Sequence, residues 1–385
     1  MLFSPVLVFL GLANLVYAYL NAQLLKGLGN LKRDSVPPPD RFPMVTILIA
    51  ARNEESRIRK CLDCLVAQDY APDKLQFIVV DDRSQDGTAG ILREYADRWP
   101  DRFLPLFISE TAPGYSPKKY ALSRGLEKAA GEIIVTTDAD CIMSADWIST
   151  LVAEFSEDTG LVLGMTSYYP VGRESRAWGV GALEFLSYGV VAAALIGLRF
   201  PVHGNANNIA YRRKVYDLSA GFAGHGEIVS GDDDFLIQSI HKLGRWRIRY
   251  SVHPGSQVRT EPPLSLGQFW EQRKRWASKC SLYQPKQVAF LGAIFSYYAL
   301  ILICLVAGLF RKDFLVLGAL SWCVKTGSDY LVMDKGTRIF AKRGLMRFFP
   351  LAGLIHIPLI IAAVAAGSFG GFTWKGQKHR RKVRA

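Results

Sequence analysis

Asp138 and Asp140, separated by one alanine, follow the apolar run EIIVTT (132–137). At the end of a strand, period-two geometry turns both carboxylates to the same side. Unpaired, they repel each other, and a divalent cation relieves that repulsion. Mg²⁺ takes one or two carboxylates and completes its octahedron with phosphate oxygens and water. A lone D-x-D is common by chance; its place directly after a buried strand gives it weight. Two more polar clusters follow comparable apolar runs: Arg52-Asn53-Glu54 after MVTILIA (44–50), and Asp81-Asp82 closing QFIVVDD (76–82). The competing account of these acids is a set of solvated loop residues. Three such clusters at the ends of three strands favour a site for a phosphorylated substrate.

The elements that must position them are legible. Residues 44–50, 76–82 and 132–138 have the continuous apolar pattern of buried strands, and 54–67, 86–98 and 117–130 have helical patterns. Alternation of this kind predicts a mostly parallel sheet with right-handed crossovers. Ligands in such sheets bind beyond the carboxyl ends of the strands, where the clusters lie. Neither G-x-x-x-x-G-K-S/T nor G-x-G-x-x-G follows a strand, so P-loop and dinucleotide sites are not expected.

The chain has 385 residues, enough for two or three domain-sized units; half are hydrophobic and 21% charged. This composition excludes a disordered chain or a disulfide scaffold. The 47 basic and 34 acidic residues leave a net charge of +13, which suits anionic lipid, nucleic acid or phosphorylated substrates. The basic residues cluster beside apolar runs rather than on one aromatic-interleaved surface, so no nucleic-acid partner is expected. Six scattered cysteines read as free thiols of a reducing compartment. Cys61 and Cys64 form C-x-x-C without a second pair, which argues against zinc.

Residues 1–25 are uncharged and long enough for one membrane anchor. Lys26, Lys32 and Arg33 follow, which places the next domain in the cytoplasm. A C-terminal membrane region, 287–374, begins with spanning runs at 287–310 and 314–333. The second contains Lys325 and Asp329, spaced to pair on one helical face. The run 348–374 carries Pro350 and Pro358. A full crossing would put the basic tail 375–385 outside, so a re-entrant or interfacial segment is the alternative. The stretch 178–198 is apolar but contains Glu184.

Taken in order, ILIAARNEE (47–55), IVVDDRSQDGT (78–88), SPKKYALSRGL (116–126), GEIIVTTDADC (131–141), GNANNIAYRRKVY (204–216), SGDDDFL (230–236) and QRKRW (272–276) resemble the membrane-associated family 2 glycosyltransferases. The resemblance implies an α/β GT-A fold, the Rossmann-like fold of nucleotide-diphospho-sugar transferases, over a cytoplasmic domain at 41–280. It implies that Ala50, Arg52, Glu54 and Asp82 line the nucleotide pocket, and that Lys118 or Lys119 approaches the nucleotide or diphosphate. Asp138 and Asp140 are implied as nucleotide and metal ligands for Mg²⁺ or Mn²⁺. SGDDDFL matches the segment supplying the catalytic base, with Asp233 the first choice and Asp232 the second; the family more often has Glu-Asp there. The alternative for these acids is an exposed helix N-terminus.

In QRKRW, Gln272, Arg275 and Trp276 share one helix face. By the resemblance they bind the nucleotide sugar, the arginine on the diphosphate and the tryptophan on the acceptor's sugar face. The alternative is a basic interfacial helix with Arg273, Lys274 and Lys279 on anionic headgroups. A membrane crossing at 178–198 would separate the two acidic motifs by a bilayer, so this stretch is expected to be a buried or interfacial helix. The tail FTWKGQ (372–377) resembles an element of related polysaccharide synthases, which implies a gating role for Trp374 and Lys375 if the tail is cytoplasmic; the alternative is a plain basic membrane-surface tail. His225, in the same stretch as the base segment, is a candidate for touching substrate.

The function expected is an inverting, metal-dependent glycosyltransferase that uses a UDP-sugar and a lipid or glycan acceptor at the plasma (inner) membrane. A processive polysaccharide synthase is the alternative within the class. A catalytically silent nucleotide-sugar-binding scaffold is the alternative outside it.

Overall fold

The computed structural model describes residues 3–31, 42–172, 175–374 and 377–379. Lys32, Arg33, Lys375 and the tail from 380, on which the topology and gating expectations partly rest, lie outside the described residues. The chain runs α1 (Phe3–Asn30), β1 (Val45–Ala51), α2 (Ile58–Val66), β2 (Leu75–Asp82), α3 (Thr88–Arg98), β3 (Phe103–Ile108), α4 (Pro117–Lys128), β4 (Ile133–Thr136), β5 (Ile142–Met143) and α5 (Trp147–Val152). It continues β6 (Thr159–Leu163), β7 (Thr166–Tyr168), α6 (Arg176–Gly197), β8 (Ile209–Arg212), α7 (Arg213–Leu218), α8 (Asp232–Lys242), β9 (Arg247–Tyr250) and β10 (Val258–Thr260). It ends α9 (Leu266–Ala277), α10 (Pro285–Ala307), α11 (Lys312–Ile339), α12 (Phe349–Phe369), β11 (Phe372–Trp374) and β12 (Gln377–His379). These elements fall into two compact units.

One unit comprises Leu31–Gly172 and Arg199–Pro262. Its main sheet has the order β3-β2-β1-β4-β8-β6-β9. Strands β3, β2, β1 and β4 are parallel, β8 runs antiparallel to both β4 and β6, and β9 is parallel to β6. The parallel strands are apolar nearly throughout because helices cover both faces. Val45, Ile47, Ile49, Phe77 and Val79 pack with Ile58 and Leu62 of α2, Leu92 and Tyr95 of α3, and Trp147 of α5. Register aligns the strand ends, with Ala50 beside Val80, Ala51 beside Asp81, and Leu48 beside Thr136. The polar residues that follow β1, β2 and β4 therefore emerge at one edge. A second sheet, β5-β10-β7, carries Thr260.

The other unit comprises Met1–Asn30, Arg173–Leu198 and Pro263–Ala385. Among the described residues four helical segments are long and apolar enough to cross a membrane: Pro5–Asn30, Arg176–Gly197, Pro285–Ala307 and Arg343–Ser368. The unit is thus built for membrane association. Helix α6 is mostly buried, whereas the other three leave most of their surface exposed, as lipid-facing helices do. Helix α11, which contains the run read as a crossing at 314–333, is 28 residues long but falls outside this set because it is less apolar. The run weighed as spanning, re-entrant or interfacial contains helix α12, with Pro358 inside it.

Packing in this unit follows membrane rules. A Cβ on Gly27 would lie 2.1 Å from the Ala194 carbonyl oxygen, and one on Gly197 would lie 2.1 Å from the Gly27 oxygen. Small residues let α1 and α6 touch backbone to backbone. The Lys325 ammonium reaches Asp329 at 2.9 Å and His356 Nδ1 at 2.8 Å, and the Tyr17 hydroxyl donates to Asp329 at 2.7 Å. This network joins α1, α11 and α12 and satisfies charges that an apolar setting would otherwise penalise.

Candidate active site

The loops after β1 and β2 are fastened to each other by side chain to backbone hydrogen bonds. The Asn53 N–H donates to Ser84 Oγ at 2.9 Å, and the Gln85 N–H donates to Asn53 Oδ1 at 2.8 Å. Similarly, the Glu54 N–H donates to Thr88 Oγ1 at 2.9 Å, and the Gly87 N–H to Glu55 Oε2 at 2.9 Å. Short polar side chains that satisfy nearby amides explain why Asn, Ser, Asp and Thr crowd these loops. Asn53 and Arg83 both take left-handed backbone angles, φ 53° and 58°.

These loops place the residues expected to hold a nucleotide. Ala50 is on β1, one position before its end. Glu54 and Asp82 are buried. Asp82 accepts from Arg83 Nε at 2.8 Å and lies 3.9 Å from Arg52. Arg57, which the sequence reading did not single out, is 3.6 Å from Glu54 and 2.5 Å from Glu261. Burial pushes the Asp81 carboxyl up, against hydrogen bonds from Ser84.

Asp138 and Asp140 follow β4 at the same edge. Burial, then the charges of Asp138 and Glu54, push the Asp140 carboxyl up to about 6, against a hydrogen bond from Thr260. Lys118, at the start of α4, places its ammonium 2.8 Å from Asp138 Oδ1 and 3.2 Å from Asp232 Oδ2. Burial works to lower this lysine's pKa; the two aspartates outweigh it and hold the ammonium charged, well above its ordinary value. Of the two lysines weighed from sequence, Lys118 therefore stands among the acids. Lys119 is buried, donates to the His225 carbonyl at 2.7 Å, and lies over the Phe235 ring. The His225 ring stacks on Phe235 as well.

The aspartate triplet opens α8 after Gly231, whose φ of 81° favours a residue without Cβ. Its three members point to different partners. Asp232 faces Lys118. Asp233 Oδ2 accepts from the Ala206 N–H at 2.9 Å, and its Oδ1 from the Asp234 N–H at 2.8 Å. Asp234 accepts from the Gly204 N–H at 3.0 Å. Two of the triplet thus hold the 204–206 segment to the head of α8. Asp233 and Asp234 are buried, so the exposed helix N-terminus is not what these acids form.

Among the described residues no group of three or more His, Cys, Asp and Glu side chains is arranged to hold a metal ion. Asp138 and Asp140 form a carboxylate pair, one member of which is crowded by a third charge at Glu54. A pair of this kind suits a hard cation that arrives with phosphate oxygens of its own. The residues fit on that ground. All six cysteines are free, including Cys61 and Cys64.

The Q-x-x-R-W segment lies on α9 in the helical unit. Arg275 stands over the Trp374 ring, 5.5 Å from its centroid. Trp276 packs against Phe185 and Tyr188 of α6. The Gln272 oxygen accepts from Arg273 Nη1 at 2.5 Å. The interfacial alternative is corrected at Arg273: its side chain is buried against the Glu184 carboxylate instead of facing headgroups. Lys274 pairs with Glu271 at 2.5 Å, and Lys279 is buried. The sign that could have found this was Glu184 itself, an acid inside an apolar helix that requires a cation. The hairpin of β11 and β12 meets α9 through the Thr373 N–H, which donates to Glu271 Oε2 at 2.6 Å.

A parallel sheet that switches to antiparallel strands after β4, with acids at the edge of β1, β2 and β4, defines a GT-A glycosyltransferase. The solved structure of the mannosyltransferase PcManGT from Pyrobaculum calidifontis, in complex with GDP-Man and Mn²⁺, shares this fold. Its TM-score is 0.54 at 20% identity, over 95% of this chain and 98% of that one. The chain belongs to glycosyl transferase family 21, whose model matches residues 6–383. It is 29% identical over 240 residues to the beta-monoglucosyldiacylglycerol synthase of Trichormus variabilis, across 61% of this chain and 48% of that protein. It is 26% identical over 242 residues to the poly-beta-1,6-N-acetyl-D-glucosamine synthase of Staphylococcus aureus, across 62% and 55% respectively. The chain spans about half the length of the curated relatives it matches.

Proposed function

We propose that this protein moves a sugar from a nucleotide diphosphate to a hydroxyl of a membrane-associated lipid or glycan, with inversion at the anomeric carbon. The observation that carries the reading is the gathering of Glu54, Asp82, Asp138 and Asp140 at one sheet edge, with α8 joined to it through Lys118. Asp82 and Glu54 hold the nucleoside, flanked by Ala50 and Arg52. Asp138 and Asp140 would hold Mg²⁺ or Mn²⁺, which would supply positive charge to the diphosphate. Lys118 supplies a further positive charge for the same oxygens. On α9, Gln272, Arg275 and Trp276 bind the sugar substrates.

Asp233 is the general base. Backbone N–H groups of Ala206 and Asp234 orient its two oxygens. The acceptor hydroxyl gives its proton to Asp233 as its oxygen bonds to the anomeric carbon and the bond to the diphosphate breaks. The four long apolar helices, and a relative named for a glucosyldiacylglycerol product, support a lipid acceptor. The domain that holds the sheet is proposed to be cytoplasmic and the membrane to be the plasma (inner) membrane.

Nucleotide release from UDP-, GDP- and dTDP-sugars by the full-length protein tests this reading. The assay is run with Mn²⁺ or Mg²⁺ and with EDTA, with Asp138→Ala as the control. Metal-dependent release from one donor is expected, and a UDP-sugar is the donor proposed. A chain that neither turns over nor binds any of the three nucleotides would overturn the reading; binding without turnover, with acceptor supplied, would indicate a silent scaffold. The similarity to a poly-N-acetylglucosamine synthase gives a second reading, processive synthesis. Product length separates the two: one added sugar, or a ladder.

A further inference from the structure

We infer that Glu184 and Arg273 form a positioning pair that holds the Q-x-x-R-W motif in its working shape. The inference rests on the proposal above that α9 binds the sugar substrates. Arg273 lies within the motif but is not one of its three signature residues. It is 2% exposed, and Glu184, midway along α6, is 7% exposed. Arg273 Nε donates to Glu184 Oε1 at 2.8 Å, and Nη2 pairs with Oε2. Nη1 donates to the Gln272 side-chain oxygen at 2.5 Å. The guanidinium carbon lies 4.3 Å from the Trp276 ring centroid and 4.3 Å from that of Phe269.

One planar group therefore touches two of the three motif residues. A guanidinium has donors and no acceptor, so only the oxygen of Gln272 can face it. The carboxamide NH₂ is turned the other way, as a donor. The same plane holds the Trp276 ring by cation–π contact. Glu184 sets the plane itself, because a bidentate fork fixes rotation as well as distance.

Stability alone is a poor explanation of such a pair. Apolar residues of similar volume often replace a buried ion pair at no cost to the fold, whereas removing one partner strands a charge. Geometry is what the ion pair adds here. Glu184 acts on the reaction through Arg273, without touching substrate.

The test uses full-length protein in nanodiscs that contain dioleoylglycerol, with the nucleotide sugar that the wild type turns over. The double variant Glu184→Leu/Arg273→Met removes both charges together. It is expected to unfold within a few degrees of the wild type and to bind UDP within about threefold. Transfer should fall at least tenfold, in kcat or in the acceptor KM, with the donor KM unchanged. Gln272→Ala is run beside it. Wild-type transfer by the double variant, with Gln272→Ala impaired, would show the pair to be structural only and overturn the inference. Wild-type transfer by Gln272→Ala would instead remove α9 from substrate binding, and the inference with it. If the double variant binds no UDP, Arg273→Lys decides. It keeps the charge against Glu184 and loses the fork, so a tenfold loss of transfer with UDP binding intact is expected, and wild-type transfer would overturn the inference.

Discussion

Asp138 and Asp232 share one cation: the Lys118 ammonium stands 2.8 Å from an oxygen of the first and 3.2 Å from an oxygen of the second. The strand edge and the head of α8 are joined by that side chain. A positive charge already resides where a divalent ion is proposed to bind, so lysine and metal would compete for Asp138.

Lys118→Met should therefore bind Mn²⁺ more tightly in the absence of nucleotide, by about tenfold, since it removes a repulsive charge a few ångströms away. Its transfer rate should fall by roughly a hundredfold, the scale for one lost electrostatic contact to a transition state. Calorimetric titration of Mn²⁺ measures the first, and donor turnover the second. Weaker Mn²⁺ binding by the variant would refute the competition.

Asp138→Asn and Asp140→Asn should each abolish the stimulation of turnover by Mn²⁺ or Mg²⁺, with losses on the order of 10²–10³. Turnover is followed across a metal titration, with EDTA as the baseline. An Asp140→Asn protein that keeps its metal response would take Asp140 out of the metal site.

The aspartate triplet separates rate from stability. Asp233 and Asp234 both accept backbone N–H groups from the 204–206 segment. Either asparagine substitution should cost about 1–3 kcal/mol through a poorly paired buried group. At about 2–4 °C per kcal/mol, thermal unfolding resolves that loss. Only Asp233→Asn should also lose transfer, by roughly 10²–10⁴. Full activity in Asp233→Asn, with loss in Asp232→Asn, would move the base to Asp232.

Helices α1 and α6 meet where Gly27 faces Ala194 and Gly197. Gly27→Val must push them apart, at about 1–3 kcal/mol or more. The expected result is a lower unfolding midpoint in detergent and a lower yield of monodisperse protein. An unchanged midpoint would show that α1 and α6 do not pack as described.

The central strands were legible because burial on both faces writes itself into contiguous sequence: MVTILIA, QFIVV and EIIVT contain or overlap β1, β2 and β4. Strand β3, FLPLFI, escaped because proline and a half-buried edge break the pattern. The two-residue β5 and three-residue β10 are too short for periodicity to register. At the site, local sequence revealed which acids lie at strand ends. It did not reveal that Lys118 reaches both Asp138 and Asp232, because adjacent residues on a helix point about 100° apart and composition does not say which way. The Glu184–Arg273 pair was hidden for another reason. Its partners are far apart in the chain, and only the packing of α6 on α9 identifies them.

The helical unit is assembled from three separate stretches of chain, the first ending at Asn30 and the last beginning at Pro263. Translation delivers them in that order. Helix α1 packs against α11, which starts at Lys312. At about 5–20 residues per second, α1 leaves the ribosome some 15–60 seconds before that partner exists. During this interval Tyr17 has no Asp329 to donate to, and Gly27 meets α6 only once the first sheet strands are made. Slow synthesis of the middle of the chain would lengthen the wait, and faults in assembly should concentrate there.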